Sequence, residues 1–264
     1  AAVGARCDRA RLKMPQPGMK EDHMEDRSVA ETMEAKHPPW RVWLQEHKFK
    51  LHLFTLLLMV VVHPVSEGIH DVRDLIELFF VFVVISGTFA VDRTPARLAG
   101  ALILAFLAAL ATGAFHVTEW FAPSTNHLAA IFQLVTYIAF LLFAAALILN
   151  DVMHERRVGT DTICGAISVY LLIGISWALA YCLLEVIEPE SFEFPARFQP
   201  DEGVPRAWEF VSTFIYFSFT TLTTLGFGDM TPVSAAARTG TWLEAVCGQL
   251  YLAVLVARLV ALRV

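Results

Sequence analysis

Apolar residues in this chain fall in long unbroken runs, not in the short alternations of a soluble fold. Six such runs lie at about 49–65, 75–91, 98–115, 128–149, 163–187 and 239–262. Crossing the hydrocarbon core as a helix takes roughly 17–25 residues, and all six reach that length. The first two are short and carry His52, His63 and Glu77. A seventh run, Phe210 to Leu222, is too short to cross and suits a re-entrant half-helix. The pattern predicts an all-α membrane protein. It predicts six transmembrane helices, with a re-entrant half-helix between the fifth and sixth. Residues 1–37 are charged and aperiodic, and Pro38-Pro39 ends them. Trp40, Trp43, Leu44 and His47 then recur at helical spacing among Arg41, Lys48 and Lys50. That suits an interfacial helix at about 39–48, closing a cytoplasmic N-terminal segment, 1–48, and equally a helical extension of the first apolar run.

Composition agrees with the pattern. Of 264 residues, 56% are hydrophobic and 17% charged, which is too apolar for an ordinary soluble domain. The net charge of −6 is concentrated: residues 185–209 hold seven acidic side chains against Arg197 and Arg206. The four cysteines, Cys7, Cys164, Cys182 and Cys247, lack metal-ligand spacing and read as small hydrophobes. The first apolar run begins too late for a cleavable leader. No nucleophile-and-base pairing, phosphate-cradling loop or convincing metal cluster stands out, so an enzyme is not expected. Nucleic acid is not an expected partner either, and no soluble partner is indicated. His116, Glu119 and His127 share one loop, which is weak support for a metal or proton site.

Lysine and arginine in the short loops set the orientation. Lys48 and Lys50, Arg93 and Arg97, Arg156 and Arg157, and Arg258 and Arg263 share one side if there are six spans. That side is assigned to the cytoplasm, with both termini there. The loop from His116 to His127 and the acidic segment 188–206 then lie outside. The expected location is the plasma membrane.

The most informative string is Thr223-Thr224-Leu225-Gly226-Phe227-Gly228-Asp229. Glycine reaches backbone conformations that other residues avoid, so such a run can turn successive carbonyls toward one axis. Rings of carbonyls can replace the water shell of a cation. The string resembles the selectivity filter of the potassium channel family, in its less common Phe variant. From about Cys164 onward the order of segments also resembles that family's pore domain, set here at 160–264. The resemblance implies a potassium-selective channel of six spans with a single pore loop per chain, conducting passively. It implies that the carbonyls of Thr224, Leu225, Gly226 and Phe227, with the Thr224 hydroxyl, hold potassium ions, and that Gly226 and Gly228 give the required backbone. Thr223, Asp229, Tyr216 and Phe217 would support the filter. Phe227 replaces the commoner Tyr, and Tyr216-Phe217 stands where many members have two tryptophans. Phe217 cannot donate to Asp229; Tyr216 can. These departures predict a filter prone to inactivation at low potassium. No cofactor is expected beyond the permeant ions. One chain carries one such string, so a ring of carbonyls needs four chains, a homotetramer among membrane lipids.

Gly248 stands twenty residues after Gly228, where family members often have a bending glycine. Close packing is the other reading of Gly248. Gln249, Leu252, Val256 and Val260 form one stripe at helical spacing and are expected to face the ion path as cavity and gate. Glu244 is an ionisable residue at membrane depth, so it is either a buried carboxylate bonded to hydroxyls or a gating element. Arg258 is expected to snorkel to the headgroups.

The four-helix region 49–150 carries no recognisable motif. Its fourth run, Leu128 to Leu149, has no Lys or Arg, so steep voltage gating is not expected. Two other readings stand beside a selective channel. One is a weakly selective cation channel. The other is a membrane sensor or scaffold with a vestigial pore.

Overall fold

The computed structural model describes residues 47–65, 80–88, 94–121, 126–155, 159–195 and 211–261. Most of the interfacial helix expected at 39–48, Glu77, and much of the acidic segment lie outside the described residues. The helices are α1 (Lys48–Val65), α2 (80–88), α3 (Pro95–Phe121), α4 (Asn126–His154), α5 (Thr160–Ile187), α6 (Val211–Leu222) and α7 (Ala235–Ala261). Two short strands, β1 (Phe192–Glu193) and β2 (Thr231–Pro232), pair antiparallel, with Phe192 opposite Pro232 and Glu193 opposite Thr231.

These segments are helical because hydrocarbon offers no partner to a backbone amide, and a helix satisfies its own. Their hydroxyls do the same. Thr55, Thr112, Thr136, Ser168 and Ser176 each donate to the carbonyl four residues back, at 2.7–3.0 Å. These five hydroxyls thus sit in apolar runs with their hydrogens bonded.

The expectation of six transmembrane helices is corrected. Among the described residues, four helices are long and apolar enough to cross: Pro95–Thr118, His127–His154, Thr160–Ile187 and Ala235–Arg258. Helix α1 has 18 residues in all, but Lys48 and Lys50 open it and His52 lies within it. Its apolar part is shorter than a crossing requires. The run at 75–91 is described as helix only over 80–88, two and a half turns; the rest lies outside the described residues. The six-span member of the potassium channel family, with its single pore loop, falls with that count.

The re-entrant pore helix and filter expected between a fifth and sixth span are corrected as well. Helix α6 has 12 residues and packs between α5 and α7. The residues after it, 223–229, are all exposed. The described chain by itself encloses no path there.

Helix α5 is the centre of the packing, touching α1, α4, α6 and α7, while α3 packs on α4. Lipid tails are as apolar as leucine, so close fit holds these helices together more than hydrophobic burial does. The α4–α5 contact accordingly uses small residues, with Ala144, Ala145 and Ala166 buried. Gly165 brings α5 onto Val152 and Phe49. Phe80 stacks on Tyr137 with ring centres 4.7 Å apart. At one end of this bundle Arg97 pairs with Asp151 at 2.9 Å, and Lys48 adds a looser contact at 3.9 Å.

Helix α7 is different. Only 11% of its apolar stretch is buried against the rest of the chain, against 50% for α4 and 56% for α5. Trp242, Val246, Leu250, Val254, Val256 and Val260 are all exposed on it.

Candidate functional site

Helix α6 ends at Leu222, and the chain does not simply run on from it. The Thr223 amide donates to the Phe219 carbonyl at 3.1 Å and the Thr224 amide to Thr221 at 2.9 Å. The amides of Leu225 and Gly226 both return to the Thr220 carbonyl, at 2.8 and 3.1 Å. Four successive amides are thereby folded back onto the last turn of the helix, and they satisfy carbonyls that a helix end leaves unpaired.

The backbone then alternates in hand. Thr224, Gly226 and Gly228 take positive φ values of 59°, 51° and 74°, while Leu225 and Phe227 between them do not. Left-handed backbone is ordinary for glycine and a true outlier for β-branched threonine. Such strain, of order 1–3 kcal/mol, persists only where surrounding bonds enforce it. Here the enforcing bonds are the folded-back amides. A residue-by-residue alternation of hand turns neighbouring peptide groups the same way, so such a segment can present consecutive carbonyl oxygens on one side, as carbonyl rings around a cation require.

The flanks of this segment are tied down. Tyr216 on α6 donates its hydroxyl to Asp229 Oδ2 at 2.8 Å, and Asp229 Oδ1 accepts the Met230 amide at 3.1 Å. The Tyr216 and Phe227 rings lie parallel, 6.3 Å apart. Phe217 points the other way, into a buried cluster with Tyr181, Phe192 and Phe214 at ring separations of 5.0–6.2 Å. Thr223 bonds back to the Phe219 carbonyl at 2.6 Å. Beyond Met230, β2 pairs with β1, and the amides of Val233 and Ser234 both reach the Ser191 carbonyl. Ser234 then accepts the Ala237 amide at 3.1 Å and so caps α7.

Residues 168–263 match the family model described as ion channel. The match begins inside α5, runs through α6 and the alternating segment, and ends beyond α7. It covers less than half of the chain. It supports a transport function and not an enzymatic one, and the four long apolar helices place the protein in a membrane. No curated protein and no solved structure matches the chain.

Gly248 on α7 meets the end of α6. A Cβ there would lie 2.5 Å from the Leu222 carbonyl oxygen, which is backbone and cannot swing aside. The structure thus gives Gly248 a packing role, in a helix that runs unbroken from Ala235 to Ala261. Gln249, Leu252, Val256 and Val260 are exposed in the single chain.

Other expected residues fall as follows. Arg258 donates to the Glu155 carbonyl at 3.1 Å, so it ties the end of α7 to the α4–α5 junction. Among the described residues, no three His, Cys, Asp or Glu side chains gather as a metal site. Cys182 is buried, Cys164 partly buried and Cys247 exposed, all as free thiols.

Sequence reasoning missed the partners of Glu244. This side chain is fully buried, and its two oxygens take a bond from Tyr181 on α5 (2.6 Å) and a contact with Ser218 on α6 (2.5 Å). An acid within an apolar run does call for partners, but nothing in the sequence singles out Ser218 from its neighbouring hydroxyls. Tyr251, which donates to the Ala166 carbonyl at 2.5 Å, was missed for the same reason.

Proposed function

We propose that this protein is a potassium-selective channel that conducts passively as a homotetramer. The ions are held by the carbonyls of Thr224, Leu225, Gly226 and Phe227 and by the Thr224 hydroxyl. The observation that carries this reading is the alternation of backbone hand at 224, 226 and 228, enforced by amides folded onto α6. A strained threonine between relaxed neighbours points to a function for its conformation, and oxygens turned to one side suit a dehydrated cation. Gly228 ends the ion-holding run, and Thr223, Asp229, Tyr216 and Phe217 support it from behind.

Four copies are the second element of the proposal. An apolar helix only 11% buried in its own chain is completed either by lipid or by copies of itself. Gln249 lies on that exposed helix, and a polar residue there is better placed against water than against lipid tails. Around a four-fold axis, Gln249, Leu252, Val256 and Val260 line the path below the ion sites. The membrane is the plasma membrane, with both termini of the chain on its cytoplasmic side.

The test is a reversal potential across liposomes, with potassium on one side and sodium on the other. A value near the potassium equilibrium potential, abolished by Gly226→Ala, is expected. No atom lies within 4 Å of a Cβ at that position, so the substitution acts through its φ of 51° and not through a clash. A value near zero with robust current favours the weakly selective alternative. Native mass spectrometry in detergent should give four copies of the 29.4 kDa chain; a monomer removes the four-fold path.

A further inference from the structure

We infer that Glu244 is a positioning residue held as a neutral carboxylic acid, and that its proton completes a hydrogen-bonded chain fixing α6 between α5 and α7. Its bearing on permeation rests on the function proposed above; the location of the proton does not.

The inference comes from counting hydrogens. The Ser218 hydroxyl lies 2.7 Å from the Gly174 carbonyl oxygen and 2.5 Å from Glu244 Oε1. A hydroxyl owns one hydrogen, and a carbonyl oxygen only accepts. The 2.7 Å contact is a hydrogen bond only if Ser218 donates to Gly174, and Ser218 then has nothing left to give Glu244. The second contact is then a hydrogen bond only if Oε1 carries the hydrogen and donates to Ser218. On the other side, Tyr181 donates to Oε2 at 2.6 Å. The chain reads Tyr181 to Glu244 to Ser218 to Gly174, with every donor used once and every acceptor filled.

The surroundings agree. Glu244 is wholly buried in α7. It faces Tyr181 on α5 and Ser218 on α6, and no cationic side chain pairs with it among the described residues. A carboxylate in such a place would be a buried charge without a counterion, which proteins avoid. A neutral acid has no such cost and can be a donor as well as an acceptor. The chain also crosses three elements at one level. It joins the central helix, the short helix that carries the alternating segment at its end, and the otherwise sparsely packed α7.

The test uses the full chain in detergent and in liposomes. Glu244→Gln reproduces the proposed pattern, because its amide donates to Ser218 and its carbonyl accepts from Tyr181. Glu244→Ala removes both links. Infrared difference spectra of wild type against Glu244→Gln at neutral pH should show the carbonyl stretch of one protonated carboxyl group in the wild type only. Its absence overturns the proton assignment. In the flux assay, Glu244→Gln should keep the wild-type potassium-to-sodium ratio, while Glu244→Ala lowers it at least about tenfold, the effect of roughly 1.4 kcal/mol. A glutamine variant as damaged as the alanine variant, or an alanine variant that keeps the ratio, overturns the positioning role. If Glu244→Ala does not fold, Ser218→Ala takes its place, with the same two readings. Lack of flux in every protein, wild type included, counts against the channel itself, and the infrared band still decides the proton.

Discussion

The Tyr216 hydroxyl reaches Asp229 Oδ2 at 2.8 Å across thirteen positions of sequence, binding the outward flank of α6 to the residue that follows the last glycine. This bond brackets the alternating segment from the end opposite the folded-back amides. A hydrogen bond to a carboxylate contributes about 1.5–3 kcal/mol when sheltered. Both partners are exposed here, so about 0.5–1 kcal/mol is the better figure. Tyr216→Phe should therefore leave folding nearly unchanged but loosen the segment. The expected outcome is faster loss of current after potassium is withdrawn, recorded from reconstituted protein. Decay at the wild-type rate would show that the bond does not steady the ion sites.

Gly248→Ala should be costly. Its added methyl meets the Leu222 carbonyl at 2.5 Å and the Leu222 side chain at 2.9 Å, so α7 must move off α6. Overpacking of this kind costs about 1–3 kcal/mol. Gly113→Ala is the matched control, since nothing lies within 4 Å of its added carbon on α3. Thermal unfolding in detergent should show a clear drop for Gly248→Ala and none for Gly113→Ala. Equal melting of the two variants would remove the contact from the account.

These two sites show what the sequence could and could not reveal. Helices α3, α4, α5 and α7 are legible because continuous apolar runs admit little else in a membrane. Helix α1 is legible as a helix but not as a span, because Lys48, Lys50, His52 and His63 leave its apolar part too short to cross. Spacing places Gly248 twenty residues past Gly228, but only the fold brings it against Leu222. Glu244 announces that it needs partners without naming them, since Ser218 sits 26 positions away and Tyr181 sits 63 away. Tertiary pairing of single hydroxyls leaves no periodic trace.

Arg258 offers a test of coupling between the two halves of the described bundle. Its guanidinium donates to the Glu155 carbonyl at 3.1 Å, in an exposed position. Arg258→Met removes the donor while keeping the apolar stem. A bond worth about 1 kcal/mol changes a two-state equilibrium about fivefold. Single-channel records should show open probability altered on that scale, with the reversal potential unmoved. A shifted reversal potential would mean that this end of α7 reaches the ion sites.

Voltage should have little leverage. Moving one charge through 100 mV is worth about 2.3 kcal/mol, yet α4 carries no Lys or Arg from Leu128 to Leu149. Arg97 is pinned to Asp151 at 2.9 Å at one end of the bundle. Conductance should vary smoothly with voltage. A tenfold change within a few tens of millivolts would require mobile charge that these helices do not carry.

The exposed stripe on α7 leads to the last prediction. Leu252, Val256 and Val260 leave the chain uncovered on the same helix as Gln249. If four copies face one another there, Val256 and Val260 form two apolar rings near the C-terminal end of α7. A narrow apolar ring sheds water and so blocks ions without touching them. Val260→Asn should keep water in the ring and raise steady current, with potassium still preferred because the ion sites follow Leu222, which meets α7 at Gly248, twelve residues back along the helix from Val260. Val254→Asn is the control, since Val254 is nearly as exposed as Val260, at 55% against 57%, but lies two residues from both Leu252 and Val256 and so about 160° around the helix from each. Currents raised equally by both changes would point to general loosening of α7. A rise confined to Val260→Asn would place that side chain on the path.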